Sequence, residues 1–154
     1  MENQIFDAYI ALGTYDIRQI LDSRGEYDVQ VTCANNYNGR TAIVNTDTCD
    51  FAGRHWLVLQ ATDGNNIFMV DSLGKQVKDY PAIAKKVGGR NVTYFTKHQI
   101  QSSKTFVCGY YALLYFINPR YYRQLSNLEP TAGHEWVDTL CYNYIKNHVI
   151  LSYL

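Results

Sequence analysis

Residues 55–72 read HWLVLQATDGNNIFMVDS. Two apolar runs, HWLVLQA (55–61) and NIFMVDS (66–72), flank the turn formers DGNN (63–66). An Asp-Gly step between two such runs predicts an antiparallel hairpin. A hairpin fixes which residues lie across from one another, so the remaining elements have to pack around it. TAIVN (41–45) is a β-branched run and predicts a central strand. DVQVT (28–32) alternates like an edge strand, NNYNGR (35–40) is rich in turn formers, and NVTYFTK (91–97) is a third antiparallel candidate.

Helical spacing marks the flanks. QIFDAYIAL (4–12) reads as a helix stopped by Gly13. KDYPAIAKKV (78–87) reads as a helix ended by Gly88 and Gly89. CGYYALLYFI (108–117) is apolar all round, which predicts a buried helix, stopped at Asn118-Pro119. Residues 133–149 predict a terminal helix with Trp136, Leu140, Tyr144 and Val149 on one face. Strands between 41 and 97 with helices before and after them predict an α+β fold. Its central, mainly antiparallel sheet packs on helix 108–117. The 154 residues, 47% apolar, suit one domain with one core over 1–154.

No apolar run approaches the length of a membrane span, and MENQIFDAYIALGTYD lacks the basic and apolar regions of a signal peptide. A chain kept out of the secretory path keeps its thiols reduced, so Cys33, Cys49, Cys108 and Cys141 are expected to be free. Their wide spacing, with no CxxC and no paired His, argues against a structural zinc site.

Net charge is zero but unevenly spread. Residues 75–104 hold seven bases (Lys75, Lys78, Lys85, Lys86, Arg90, Lys97, Lys104) against one acid, Asp79. Residues 1–74 hold ten acids against four bases. The basic segment suits either a solvated face or a sequence-blind polyanion surface, with Tyr80, Tyr94 and Phe95 interleaved.

A cysteine at a helix N-terminus meets the positive end of the helix dipole, which favours thiolate. Cys108 is therefore the best candidate nucleophile, although a cysteine beside an apolar run also suits a small buried hydrophobe. A nucleophile needs a base, and the base an orienting group. The 55–61/66–72 hairpin brings His55 and Asp71 to adjacent strands at its open end, where cross-strand side chains are in hydrogen-bond reach. An ion pair at a sheet end would look the same. His98, His134 and His148 lack such a partner; His98 reads as a surface residue, the other two as structural. A side-chain amide upstream of the cysteine could bind an oxyanion together with the nucleophile's N–H. Gln99 and Gln101 both qualify.

The order His55…Asp71…Gln101…Cys108, with HW at 55–56, DSLG at 71–74 and CG at 108–109, resembles the adenain-type cysteine proteases. This clan holds the adenovirus maturation protease and the proteases that remove SUMO-like modifiers. LGTYDIR (12–18), AIVNTDTCDFAGRHW (42–56) and the seven-residue step from Gln101 to Cys108 look like the adenovirus branch, and the likeness spans 10–117. It implies an adenain/papain-like architecture, Gln101 rather than Gln99 at the oxyanion, and Trp56 and Gly109 in substrate binding. It also implies cleavage after Gly, in Gly-X-Gly or Gly-Gly contexts, of viral precursor structural proteins. The expected setting is the virion and the infected-cell nucleus, with the chain a monomer. No cofactor is required for the chemistry. DNA on the basic segment and a viral peptide are the activators that the resemblance implies. In the viral enzyme that peptide is disulfide-linked to a cysteine ahead of the Gln. This chain has Arg90 in that region and no cysteine, so a covalent link there is not expected. The chain is also shorter after the nucleophile helix, and its acid is Asp where the mammalian viral enzymes carry Glu. Two other readings remain: a deconjugating protease acting on a ubiquitin-like or SUMO-like modifier, and an inactive virion or DNA-binding protein on the same fold.

Overall fold

The computed structural model describes residues 11–51 and 55–150. Five strands form one sheet in the order β1 (Gln30–Cys33), β2 (Ala42–Asn45), β3 (Trp56–Ala61), β4 (Asn66–Val70), β5 (Asn91–Tyr94). Among the described residues five helices accompany it: α1 (Thr14–Ser23), α2 (Pro81–Val87), α3 (Cys108–Ile117), α4 (Pro119–Ala132) and α5 (His134–Ile145). The fold is α+β.

The β3–β4 hairpin forms as expected. Its register pairs Val58 with Val70 and Ala61 with Ile67. Asp63 holds the turn, its Oδ1 accepting the N–H groups of Asn65 (2.7 Å) and Asn66 (2.9 Å). β1 is an edge strand, and β2 and β3 are antiparallel. The expectation of a mainly antiparallel sheet is corrected, because β1–β2 and β4–β5 are parallel and the sheet is mixed. The 91–97 strand runs parallel to its neighbour because α2 carries the chain across between β4 and β5, the crossover that a parallel pair needs.

The sheet is buried on both faces. Ile43, Trp56, Val58 and Val70 pack with α1, α3, α4 and α5, whereas Val44, Leu57, Leu59, Ile67 and Met69 pack with Ile83 and Val87 of α2. This explains why β2 and β3 read as continuous apolar runs: strands covered on both sides show no polar alternation. α3 is buried from Cys108 through Leu114.

Three elements depart from expectation. Gly13 caps a helix on its other side: α1 starts at Thr14, and the Asp16 carboxylate accepts the Gly13 N–H at 3.0 Å. The expected helix 4–12 lies largely outside the described residues, and Ala11 and Leu12 have no regular structure. Asn118-Pro119 ends α3 and also begins α4. The Asn118 side chain accepts the Tyr121 N–H at 3.0 Å, and Pro119 takes the first helical position. In α5 the buried row is Val137, Cys141 and Ile145, continued by Val149, and Trp136 is 54% exposed. Val149 is buried as expected, whereas the row before it is shifted by one residue from Trp136, Leu140 and Tyr144.

The expectation of four free thiols is also corrected. Cys33 and Cys49 form a disulfide with Cα atoms 5.2 Å apart, leaving Cys108 and Cys141 free. Cys33 ends β1 and Cys49 lies in the loop after β2. Two hydrogen bonds bring them together, one backbone to backbone and one to a side chain: Ala34 N–H donates to the Asp47 carbonyl (3.0 Å) and Cys49 N–H to Asn35 Oδ1 (2.9 Å). The 16-residue separation corresponds to about 3 kcal/mol of loop-closure stabilisation. Dithiothreitol is therefore expected to lower the unfolding temperature by several degrees. An unchanged melting curve would show that the pair contributes nothing.

Candidate active site

His55, immediately before β3, and Asp71, immediately after β4, meet at the open end of the hairpin. Asp71 lies across from Leu57 by continuation of the ladder, so His55 reaches it diagonally. His55 Nε2 is 2.5 Å from Asp71 Oδ1, with the two residues 6% and 1% exposed. The rest of the carboxylate is also satisfied. Oδ1 accepts the Leu73 N–H at 3.0 Å, and Oδ2 accepts the Tyr80 hydroxyl at 2.6 Å and the Lys75 N–H at 3.3 Å. Tyr80 also stacks near the imidazole, ring centroids 6.0 Å apart.

Cys108 comes from the other side, at the first position of α3. Its sulfur accepts the Trp56 N–H at 3.4 Å, and it lines one cleft with the His55 ring. Nε2 is taken by Asp71, so Nδ1 is the nitrogen left for the thiol. Burial works against an imidazolium here, but the hydrogen bonds and charges of Asp71 and Cys108 outweigh it and raise His55 to about 9. Asp71 moves the other way. Burial would raise it, yet the bonds from His55 and Tyr80 hold it below its ordinary value. The His55 contribution to stability is thus complete below about 6.5 and is lost as pH rises through about 9; that of Asp71 is lost in acid.

Gln101 completes the cluster. The turn at Ser72 holds it: the Ile100 and Gln101 N–H groups both donate to the Ser72 carbonyl at 2.9 Å, and Ser72 Oγ donates to Gln101 Oε1 at 2.5 Å. Gln101 Nε2 donates one N–H to the Thr105 carbonyl at 3.1 Å, and the residue lines a cleft with His55 and Cys108. Gln99 instead bonds the Gln101 carbonyl and lines no part of this cleft.

Two cavities meet at Cys108 and the exposed Phe106. One, of about 800 Å³, is walled by Leu12, Val31, the Cys33–Cys49 disulfide, Phe51 and Trp56. The other, of about 530 Å³, is walled by His55, Leu73, Lys75, Tyr80 and Gln101. Both open beside the sulfur, so Cys108 has a cavity on either side. Trp56 both packs in the core and faces the groove, its indole N–H anchored on the Leu12 carbonyl at 2.9 Å. Gly109 is buried; a Cβ there would lie 3.2 Å from Leu12 and 3.5 Å from Trp56, so the residue lets the groove wall pack on α3 rather than lining the groove.

No family model matches this chain, and no curated protein matches it either. The site stands on its geometry: a buried acid bonded to an imidazole, with a buried thiol and an amide lining the same cleft. That arrangement can move a proton between Cys108 and His55 and place donors near an attacked carbonyl.

The remaining candidates fall elsewhere. Lys75, Lys78, Lys85, Lys86, Lys97 and Lys104 are exposed. Arg90 is committed, donating to the Gly39 carbonyl at 2.7 Å and bonding Tyr37. His98 and His134 pair with Glu129 at 3.7 and 2.9 Å, and His148 stacks on Tyr144. Among the described residues no group of three or more His, Cys, Asp or Glu could hold a metal, and no helix is long and apolar enough to cross a membrane.

Sequence reasoning misses two supports. Ser72 is visible as the second residue of DSLG. Tyr80 counts there only as an aromatic among lysines, although it opens α2 next to Pro81. Asp71→Asn tests the electrostatics. The amide keeps an acceptor for Nε2 but loses the charge, so the His55 pKa falls. The alkaline limb of any thiol-dependent activity should then move to lower pH, with about a tenfold loss in kcat/KM. A pH profile superimposable on wild type would contradict the role given to Asp71.

Proposed function

We propose that this chain is a cysteine endopeptidase of the adenain type. The observation that supports this most is His55 bonded to the buried Asp71 carboxylate and lining one cleft with Cys108 and Gln101. Cys108 gives its proton to His55, and the sulfur attacks the peptide carbonyl. The oxyanion is held by Gln101 Nε2–H and by the Cys108 N–H, one of the first-turn donors that a helix leaves without an internal partner. The C–N bond breaks as His55 returns the proton to the amine. Water, losing a proton to His55, then adds to the thioester; collapse releases the acid and restores the thiol. Trp56 narrows the groove beside the sulfur, which favours Gly at the cleaved bond. In this reading the substrates are viral precursor structural proteins, cut in the virion or the infected-cell nucleus. Duplex DNA on the six exposed lysines and a non-covalently bound peptide are the activators to try.

A fluorogenic Leu-X-Gly-Gly-type peptide tests the proposal, with and without duplex DNA. Iodoacetamide is a selective probe, because Cys141 is wholly buried and Cys33 and Cys49 are paired. Turnover that iodoacetamide abolishes supports a Gly-directed thiol peptidase, and a DNA-dependent rise supports the maturation role. Cleavage of ubiquitin-like precursors but not the peptide would move the assignment to deconjugation. Salt-sensitive DNA binding with no turnover on either substrate would refute the enzyme.

A further inference from the structure

Asp138 is a carboxylate in the core, 0% exposed, on a helix that lines neither cavity. Burying a charge is costly unless donors surround it. Three do. Oδ2 accepts the Ser102 N–H at 3.1 Å and the Thr105 hydroxyl at 2.7 Å, and Oδ1 accepts the Tyr111 hydroxyl at 2.7 Å. Burial still pushes the group up to about 6 despite these bonds.

The partners share a location. Ser102 directly follows Gln101. The Thr105 carbonyl accepts the Gln101 side-chain N–H at 3.1 Å. Tyr111 lies one turn into α3 from Cys108. Asp138 therefore grips both ends of the 102–105 turn and ties it to the nucleophile helix. Ser72 holds the oxygen of the Gln101 amide from one side, at 2.5 Å. The turn that Asp138 holds fixes its nitrogen from the other.

We propose that Asp138 is a positioning residue for Gln101, acting through Ser102 and Thr105 to aim the amide N–H at the oxyanion. This rests on the peptidase reading above. A carboxylate suits the task because its two oxygens collect donors from two separate elements. An aliphatic side chain would leave the Ser102 N–H buried and unpaired.

The test uses the full chain. Asp138→Ala should lower kcat about 30-fold with KM within about threefold. Asp138→Asn should recover most of that loss, since its oxygen can serve the turn and its N–H can meet the Tyr111 oxygen. Alkylation of Cys108 by iodoacetamide builds no oxyanion, so its rate should be unchanged in both variants. In a Gln101→Ala background, Asp138→Ala should cost nothing further. If Asp138→Ala does not fold, Thr105→Val removes one of the three bonds without unpairing the carboxylate. It should lower kcat several-fold, again only when Gln101 is present. Equal losses in alkylation and turnover, or additive losses with Gln101→Ala, would overturn the proposal. Should the wild type show no turnover, the peptidase reading falls and the Gln101 side-chain amide resonances decide the Asp138 link. A shift on Asp138→Ala or Thr105→Val supports it, and unmoved resonances overturn it.

Discussion

Cys108→Ala will reduce peptide turnover to background, a loss on the order of 10⁶-fold in kcat when a nucleophile is deleted from an intact triad. Fold and activity should separate cleanly. The side chain lost is one sulfur atom at the mouth of α3, 6% exposed and facing the groove. Alanine is a better helix former than cysteine. The melting temperature should therefore stay within a few degrees of wild type while turnover disappears. His55 would lose one of the two partners that raise its pKa, so its titration, followed by NMR, should move to lower pH in the same variant. Appreciable thiol-independent turnover in Cys108→Ala would remove the covalent mechanism.

Gly74→Ala will damage stability and activity together. Gly74 closes the turn after Asp71 with φ +66°, a conformation costly for a residue with a Cβ. The larger problem is space. A Cβ would lie 2.3 Å from the His98 carbonyl carbon and 2.5 Å from the Gln99 nitrogen. These are backbone atoms, so one of the two chain segments must move. The 98–101 segment is the one that bonds the Ser72 carbonyl and carries Gln101. We expect a loss of about 3–5 kcal/mol in unfolding free energy from the clash and the backbone strain. In whatever fraction folds, kcat should be about 100-fold lower through the displaced amide. Wild-type stability in Gly74→Ala would mean that the two segments do not approach as described.

Features that depend on near neighbours are legible in the sequence. His55 and Asp71 are, because a short turn sets their strands in register, and so is Cys108, because an apolar helix begins there. The second layer is not. Strands buried on both faces lack alternation, so β2 and β3 give no sign that α2 covers the side away from α3. Gly13 and Asn118-Pro119 read as stops, but the same residue types serve at helix starts, and the segments on either side decide which role they take. The Cys33–Cys49 pairing contradicts an argument from compartment, because proximity set by two loop hydrogen bonds leaves no trace in spacing. Asp138 is invisible for a related reason, since its partners Ser102 and Thr105 lie 36 and 33 residues away.

The hairpin and the helix mouth also differ in when they can come together. The base and its acid are 16 residues apart, whereas the Trp56–Cys108 contact spans 52. The longer closure costs about 1 kcal/mol more chain entropy, and it needs α3 to be packed on the sheet first. A chain that has formed only its hairpin holds the proton acceptor without the sulfur it serves. On the peptidase reading proposed above, a chain assembled in this order has no nucleophile beside its base until its core has closed.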